Sequence, residues 1–234
     1  ETELLSINKP KSDQATFALT KVIANLKRGT TIVHFPSAGV EGVNSYLCNY
    51  TYEGDSTLEW GAGTKVLGNW RTELGEIFYE ALTQKGLHIA GDPKDMFGRR
   101  ESIASTEYLI GARISKISGN FCEEHHWWDG RPLGKYAGEM YIKVEWTIFS
   151  SLLQREVVKV NTEGYFKQKR SKKDGISRTF REAFAQASEN LMSSKELIKI
   201  ATREKSPVDK ASTGQKLVFK GGKERKSTVK NDLD

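Results

Sequence analysis

The chain has 234 residues, 37% of them hydrophobic, and a formal net charge of +6. That length buries one sizeable core and fits a single domain with extensions. No run approaches the 18 or so apolar residues of a membrane helix, so no segment reads as one.

Between Thr202 and Asp234, nine Lys/Arg stand against five Asp/Glu, a surplus of four, so most of the basicity belongs to the C-terminal end. Such a tail reads as a solvated extension, or as one that seeks phosphates, acidic lipid or an acidic partner. A start at Glu1 is what a removed signal peptide leaves, or a trimmed boundary.

Residues 1–12 are polar and read as an N-terminal arm. From Asp13 to Lys27, the spacing of Leu19, Val22, Ile23 and Leu26 predicts a helix. Thr31–Phe35 is β-branched and aromatic and predicts a short strand. Ser37 to Gly68 is rich in Gly, Asn and Ser and reads as loop with one weak hairpin. Trp70 to Lys85 predicts a helix with Leu74, Ile77, Phe78, Ala81 and Leu82 as its apolar stripe, stopped by Gly86. Leu87–Ala90 reads as a short strand, and Asp95 to Ser105 as a short helix or loop.

The clearest pattern follows. In Glu139–Ser150, Met140, Ile142, Val144, Trp146 and Ile148 alternate with Tyr141, Lys143, Glu145 and Thr147, which is the period of a strand with one buried face. Tyr108, Ile110, Ala112 and Ile114 mark a strand before it, and Val158, Val160 and Thr162 one after it, within Glu156–Phe166. Ser151–Gln154 is short enough to be a hairpin turn. Asn120 to Gly138 reads as a loop between two of these strands. A basic run, Lys167–Lys173, leads to a helix over Ser177–Lys199 with Ser177 as N-cap. The pattern predicts an α+β fold, an α/β sandwich in which a mixed or antiparallel sheet is roofed by two amphipathic helices, with extended arms at both ends. The expected domain limits are 13–200, with a basic extension over 201–234.

Candidate chemistry is thin. Cys122, Glu123, Glu124, His125 and His126 are all metal-ligand types, but adjacent histidines rarely reach one ion, and no second Cys/His cluster completes a tetrahedron. Cys122 with His125 lacks any legible orienting group, and no Gly-x-Ser-x-Gly is present. Gly61–Gly63 and Gly221-Gly222-Lys223 lack the setting of a phosphate loop. The expectation is therefore a protein with no catalytic residues, no metal and no cofactor. Cys48 and Cys122 are candidates for one disulfide in an oxidising compartment, or two separate buried thiols. Tyr46, Trp60, Trp127 and Trp128 in loops, with the apolar island Leu217-Val218-Phe219, are the candidate interaction surface. Lys167–Lys173 beside Tyr165 and Phe166 admits a nucleic-acid grip, or an ordinary charged connection.

Phe78-Tyr79-Glu80-Ala81-Leu82 with Gly86-Leu87-His88-Ile89, Tyr108–Ile114, Tyr141–Trp146 with Val157-Val158, and Phe180–Ala187 resemble successive steps of one family of bacterial envelope lipoproteins. This is the group with the domain of the curli secretion lipoprotein, the penicillin-binding-protein activator lipoprotein and the flagellar T-ring protein. The resemblance covers roughly residues 70–200 and rests on degenerate apolar patterns. It implies a periplasmic, outer-membrane-associated piece that forms rings or binds partner subunits, without catalytic residues or nucleic acid. A secretion machine such as a type IVB (Dot/Icm-like) core complex would be its setting. The family's inserted pore hairpins have no counterpart here, nor has this chain's Cys/Trp-rich stretch at 120–138 a counterpart in the family. Two rival readings are an accessory domain of an envelope hydrolase and a nucleic-acid-binding module.

Overall fold

The computed structural model describes residues 15–37, 39–43, 55–61, 63–90 and 106–202. The N-terminal arm at 1–12, Tyr46, Cys48, the segment 95–105, and the C-terminal residues from 203 on, with Leu217, Val218 and Phe219, lie outside the described residues.

Seven strands and three helices are described. They are β1 (Thr16–Ala24), β2 (Thr31–Phe35), β3 (Ser56–Glu59), α1 (Trp70–Gln84), β4 (His88–Ile89), β5 (Tyr108–His125), β6 (Pro132–Ser150), β7 (Arg155–Lys172), α2 (Gly175–Met192) and α3 (Lys195–Ala201). A 3-10 turn at Gly63–Leu67 precedes α1. The class is α+β with a mixed sheet, as the alternating and helical stretches predict.

Three long strands form the frame. β5, β6 and β7 make an antiparallel meander. The other edge of β5 is shared end to end. β1 pairs parallel with its first half, from Phe17↔Tyr108 to Ala24↔Ile114, and β2 pairs parallel with its second half, at Val33↔Gly119 and His34↔Asn120. β4 extends β1 and β3 extends β2.

Met140, Ile142, Val144, Trp146 and Ile148 are all wholly buried. An aromatic cluster joins them to α1 and α2: Phe78 stacks on Trp146 at 5.2 Å, Phe184 lies 5.6 Å from Trp146, and Trp70 meets Phe180 edge-on at 6.4 Å. Covering this face with two amphipathic helices removes it from water, which is the main favourable contribution to a fold of this kind. Gly164 of β7 permits a close approach, because any Cβ there would collide with the Ala183 carbonyl oxygen of α2. Beside it, the Trp146 indole N–H donates to Thr162 Oγ1 at 2.7 Å, and that hydroxyl donates to the Ala187 carbonyl at 2.8 Å. Strand, edge strand and helix are thus tied by one buried relay.

The opposite face is polar. Arg113–Glu145 (3.7 Å), Lys143–Glu163 (3.6 Å) and Lys167–Glu139 (3.3 Å) pair across strands, and Lys116 sits over the Tyr141 ring at 5.4 Å. Exposed pairs of this kind add little stability, but they keep the face wet.

Three expectations are corrected. The segment 13–27 is not a helix: Thr16–Ala24 is strand β1. Its alternation is broken by a bulge between Leu19 and Lys21, where Thr20 Oγ1 turns to donate to the Ile110 carbonyl, and the remaining apolar spacing imitates a helix. The stretch 120–138 is mostly strand, because β5 runs on to His125 and β6 begins at Pro132, leaving a turn of 126–131. The helix expected over 177–199 begins earlier, at Gly175, and is broken at Ser193-Ser194. Ser194 caps α3 by accepting from the Leu197 N–H at 3.3 Å, whereas Ser177 only donates back to the Asp174 carbonyl.

Candidate functional site

The β5–β6 hairpin ends in a turn pinned by hydrogen bonds of its own backbone and of Asp129. The His126 N–H donates to the Arg131 carbonyl at 2.7 Å, and the Gly130 N–H donates to the His126 carbonyl at 2.9 Å. Gly130 has φ +66°, a left-handed position that favours glycine. The Asp129 carboxylate accepts the Arg131 backbone N–H at 3.1 Å and the Arg131 Nε–H at 2.7 Å. The backbone N–H of Arg131, ahead of the charges of Arg131 and His126, holds the Asp129 carboxyl below its ordinary value. His126 Nδ1 lies 3.1 Å from the same carboxylate without hydrogen-bond alignment.

On this pinned turn stand Trp127 and Trp128, 71% and 77% exposed. Their rings meet edge-on at 5.3 Å, and His126 stacks on Trp127 at 6.4 Å. Two adjacent indoles held out in water are a large apolar surface for a folded chain to leave uncovered. The β6–β7 turn, at the far end of β6, is also apolar: Leu152 is 87% and Leu153 54% exposed, with the Leu153 N–H held by Ser150 Oγ at 3.2 Å. At about 3.3 Å per residue, the two tips stand at most roughly 60 Å apart along β6. Two leucines in a four-residue hairpin turn were the available signal for this second surface, since turns are ordinarily polar.

The other candidate residues divide. Trp60 is half-buried and lies edge-on to Trp70 at 6.0 Å. Cys122 is wholly buried on β5 opposite Ala137, while its candidate partner Cys48 lies outside the described residues. Successive side chains of a strand face opposite sides, so Cys122, Glu123, Glu124 and His125 diverge. His125 is buried with Nδ1 3.0 Å from the Glu123 carbonyl, and Tyr136 donates its hydroxyl to Glu123 Oε1 at 3.1 Å. Burial, and then the Glu123 carboxylate, push the Tyr136 phenol up to about 12. Among the described residues no group of three His, Cys, Asp or Glu side chains could hold a metal ion.

His34, Asp55 and Ser37 also converge, but both His34 Nε2 and the Ser37 hydroxyl bond to the Asp55 carboxylate, at 3.0 and 3.1 Å, which is not the order of a Ser-His-Asp relay. That is a clasp between β2 and the start of β3; the Ser37 N–H, first among its causes, lowers the Asp55 pKa.

The basic run also divides. Lys167 pairs with Glu139, and Gln168 is buried and donates to the Tyr136 carbonyl at 3.1 Å. Lys169, Arg170, Lys172 and Lys173 are exposed and make no ion pair among the described residues. The outer edge of β7 is partly closed by α2, since Gln186 accepts the Tyr165 N–H at 2.6 Å and Asn190 donates to the Glu163 carbonyl at 2.8 Å. No described helix is long and apolar enough to cross a membrane.

No protein-family model matches the sequence, and no curated protein matches it. Among solved structures, protein XCC0632 of Xanthomonas campestris, from family DUF330, is 12% identical over 79% of this chain and 85% of its own, with a TM-score of 0.37. A neuraminyllactose-binding hemagglutinin homolog from Helicobacter pylori is 8% identical over 83% of this chain and 90% of its own, also at 0.37. The LpoB C-terminal domain from Salmonella enterica is 10% identical over 67% of this chain and 84% of its own, with a TM-score of 0.19. At these identities and TM-scores, none of them assigns a family or an activity to this chain.

Proposed function

We propose that the chain is a non-catalytic scaffold and interaction subunit of a bacterial cell-envelope complex of the secretion type, working in the periplasm in association with the outer membrane. The observation that carries this reading is the placement of the apolar surface. Trp127 and Trp128 crown one end of the long hairpins and Leu152 and Leu153 the other, while the open sheet face between them is covered by ion pairs. Among the described residues the three most exposed large apolar side chains, Trp127, Trp128 and Leu152, stand at these two ends, which suits a module that joins partners end to end. The envelope assignment is supported by the sequence resemblance over residues 70–200.

An oxidising compartment also suits the cysteines. No described cysteine is free, and a bond between Cys48 and Cys122 would close a loop whose chain entropy is worth about 4 kcal/mol. Intact-mass measurement before and after reduction tests it: the disulfide requires a gain of the mass of two hydrogens.

The reading is tested by photo-crosslinking in cells from position 152, together with mass photometry of the extracted complex. Crosslinks to other envelope subunits, lost when L153D is added, are expected. A strictly monomeric chain with no envelope partner overturns the proposal.

A further inference from the structure

The two apolar tips differ in what stands behind them. Beyond Leu152 and Leu153 one exposed cation, Arg155, stands without an ion pair among the described residues, while Lys159 is neutralised by Glu156 at 3.1 Å. Beyond Trp127 and Trp128 the charge is unbalanced. The register sets Glu123 beside Tyr136 and Tyr136 beside Lys172, so the C-terminal end of β7 lies on the order of 10 Å behind the tryptophans. Each nearby carboxylate is engaged: Asp129 with Arg131, Glu124 with Lys135 at 4.0 Å, Glu123 with Tyr136, and Asp174 with Arg181 at 3.6 Å. Lys169, Arg170, Lys172 and Lys173 have no such partner among the described residues, which leaves four cations to act outward.

The order is therefore indole rings outermost, with unpaired cations set back behind them. We propose that this end of the molecule docks on an anionic lipid surface. Trp127 and Trp128 enter the boundary between headgroups and acyl chains, and the four cations stand over the lipid phosphates. Tryptophan suits that boundary because its ring is apolar while its N–H keeps a polar partner. Cations near an anionic leaflet each strengthen attachment within a Debye length. A nucleic-acid strand fits less well. The two indoles already meet edge-on and leave no slot between them for a base, and the cations lie behind the rings and not alongside them. This inference deepens the envelope reading, on which it rests, by assigning the Trp end to lipid and leaving the Leu end for protein.

The test uses the purified full chain with vesicles of phosphatidylcholine alone or mixed with phosphatidylglycerol. Sedimentation reports binding, and quenching by brominated acyl chains reports Trp depth. Binding to the phosphatidylglycerol vesicles with quenched emission is expected, and little binding to phosphatidylcholine. W127A/W128A should lose at least about tenfold in partitioning and all of the depth-dependent quenching. K172Q/K173Q should lose roughly fivefold per charge removed and flatten the salt dependence, while keeping the residual quenching. L152D/L153D should bind vesicles as the native chain does. All these side chains are exposed, so thermal melts of the variants should match the native protein. No binding to phosphatidylglycerol vesicles overturns the inference, as does binding indifferent to the tryptophans, or a Trp emission change with single-stranded oligonucleotides and none with vesicles. Those failures stay separate from failure of the scaffold reading, which is decided by crosslinks from position 152.

Discussion

Thr162→Val removes one oxygen from the centre of the molecule and changes almost nothing else. Valine matches threonine in shape, so no cavity opens, and its strand propensity is at least as good. The oxygen accepts the indole N–H of Trp146 and donates to the Ala187 carbonyl, and Trp146 is wholly buried. Without Thr162 Oγ1, that N–H is left in an apolar pocket between Phe78 and Phe184. An unmet buried donor costs about 1–3 kcal/mol, and the carbonyl loses its side-chain donor as well, so we expect about 2 kcal/mol. For a domain of this size that is a fall in Tm of roughly 4–8 °C. Urea unfolding followed by circular dichroism measures it, with the midpoint moving and the slope unchanged. A double-mutant cycle with Trp146→Phe isolates the bond. The double variant should cost less than the sum of the singles by about 1 kcal/mol, because the second change removes the stranded donor. A cost for T162V within about 0.5 kcal/mol of zero, or strict additivity, would refute the relay.

Gly164→Ala should be worse, by about 3 kcal/mol or more, because the new methyl collides with backbone of α2 and the helix must lift from the sheet; a melt within a degree or so of native would count against the close approach. Ser194→Ala should cost about 1 kcal/mol and loosen α3 while leaving α2 intact, as read by amide exchange at Leu197. Tyr136 and Tyr165 are both pushed up to about 12, first by burial and then by Glu123 and Glu139 respectively. Between the ordinary value of 10.0 and about 12, the folded chain therefore holds more protons than the unfolded one, and stability present below pH 10 should be lost as pH rises through that window. Phenolate absorbance titration checks it, and Glu139→Gln should lower the Tyr165 transition and spare that of Tyr136.

What the sequence by itself determined was the buried face. Met140 to Ile148 alternate strictly, and the stripes of α1 and of Phe180–Leu191 have helical period, so local pattern alone named a sheet face and two helices to cover it. It also singled out Trp127 and Trp128. Tertiary structure decided whatever depended on a distant partner. Thr16–Ala24 is a strand because β5 offers it an edge, and the bulge at Thr20 hides the alternation that would have told. Asn120–His125 is strand because β6 pairs it residue for residue, although Cys, Glu and His alone carry no strand signal. That Lys172 lies just behind the tryptophans, and that Leu152 lies at the opposite pole, follows from cross-strand register. Register is set between strands, so no stretch of one strand contains it.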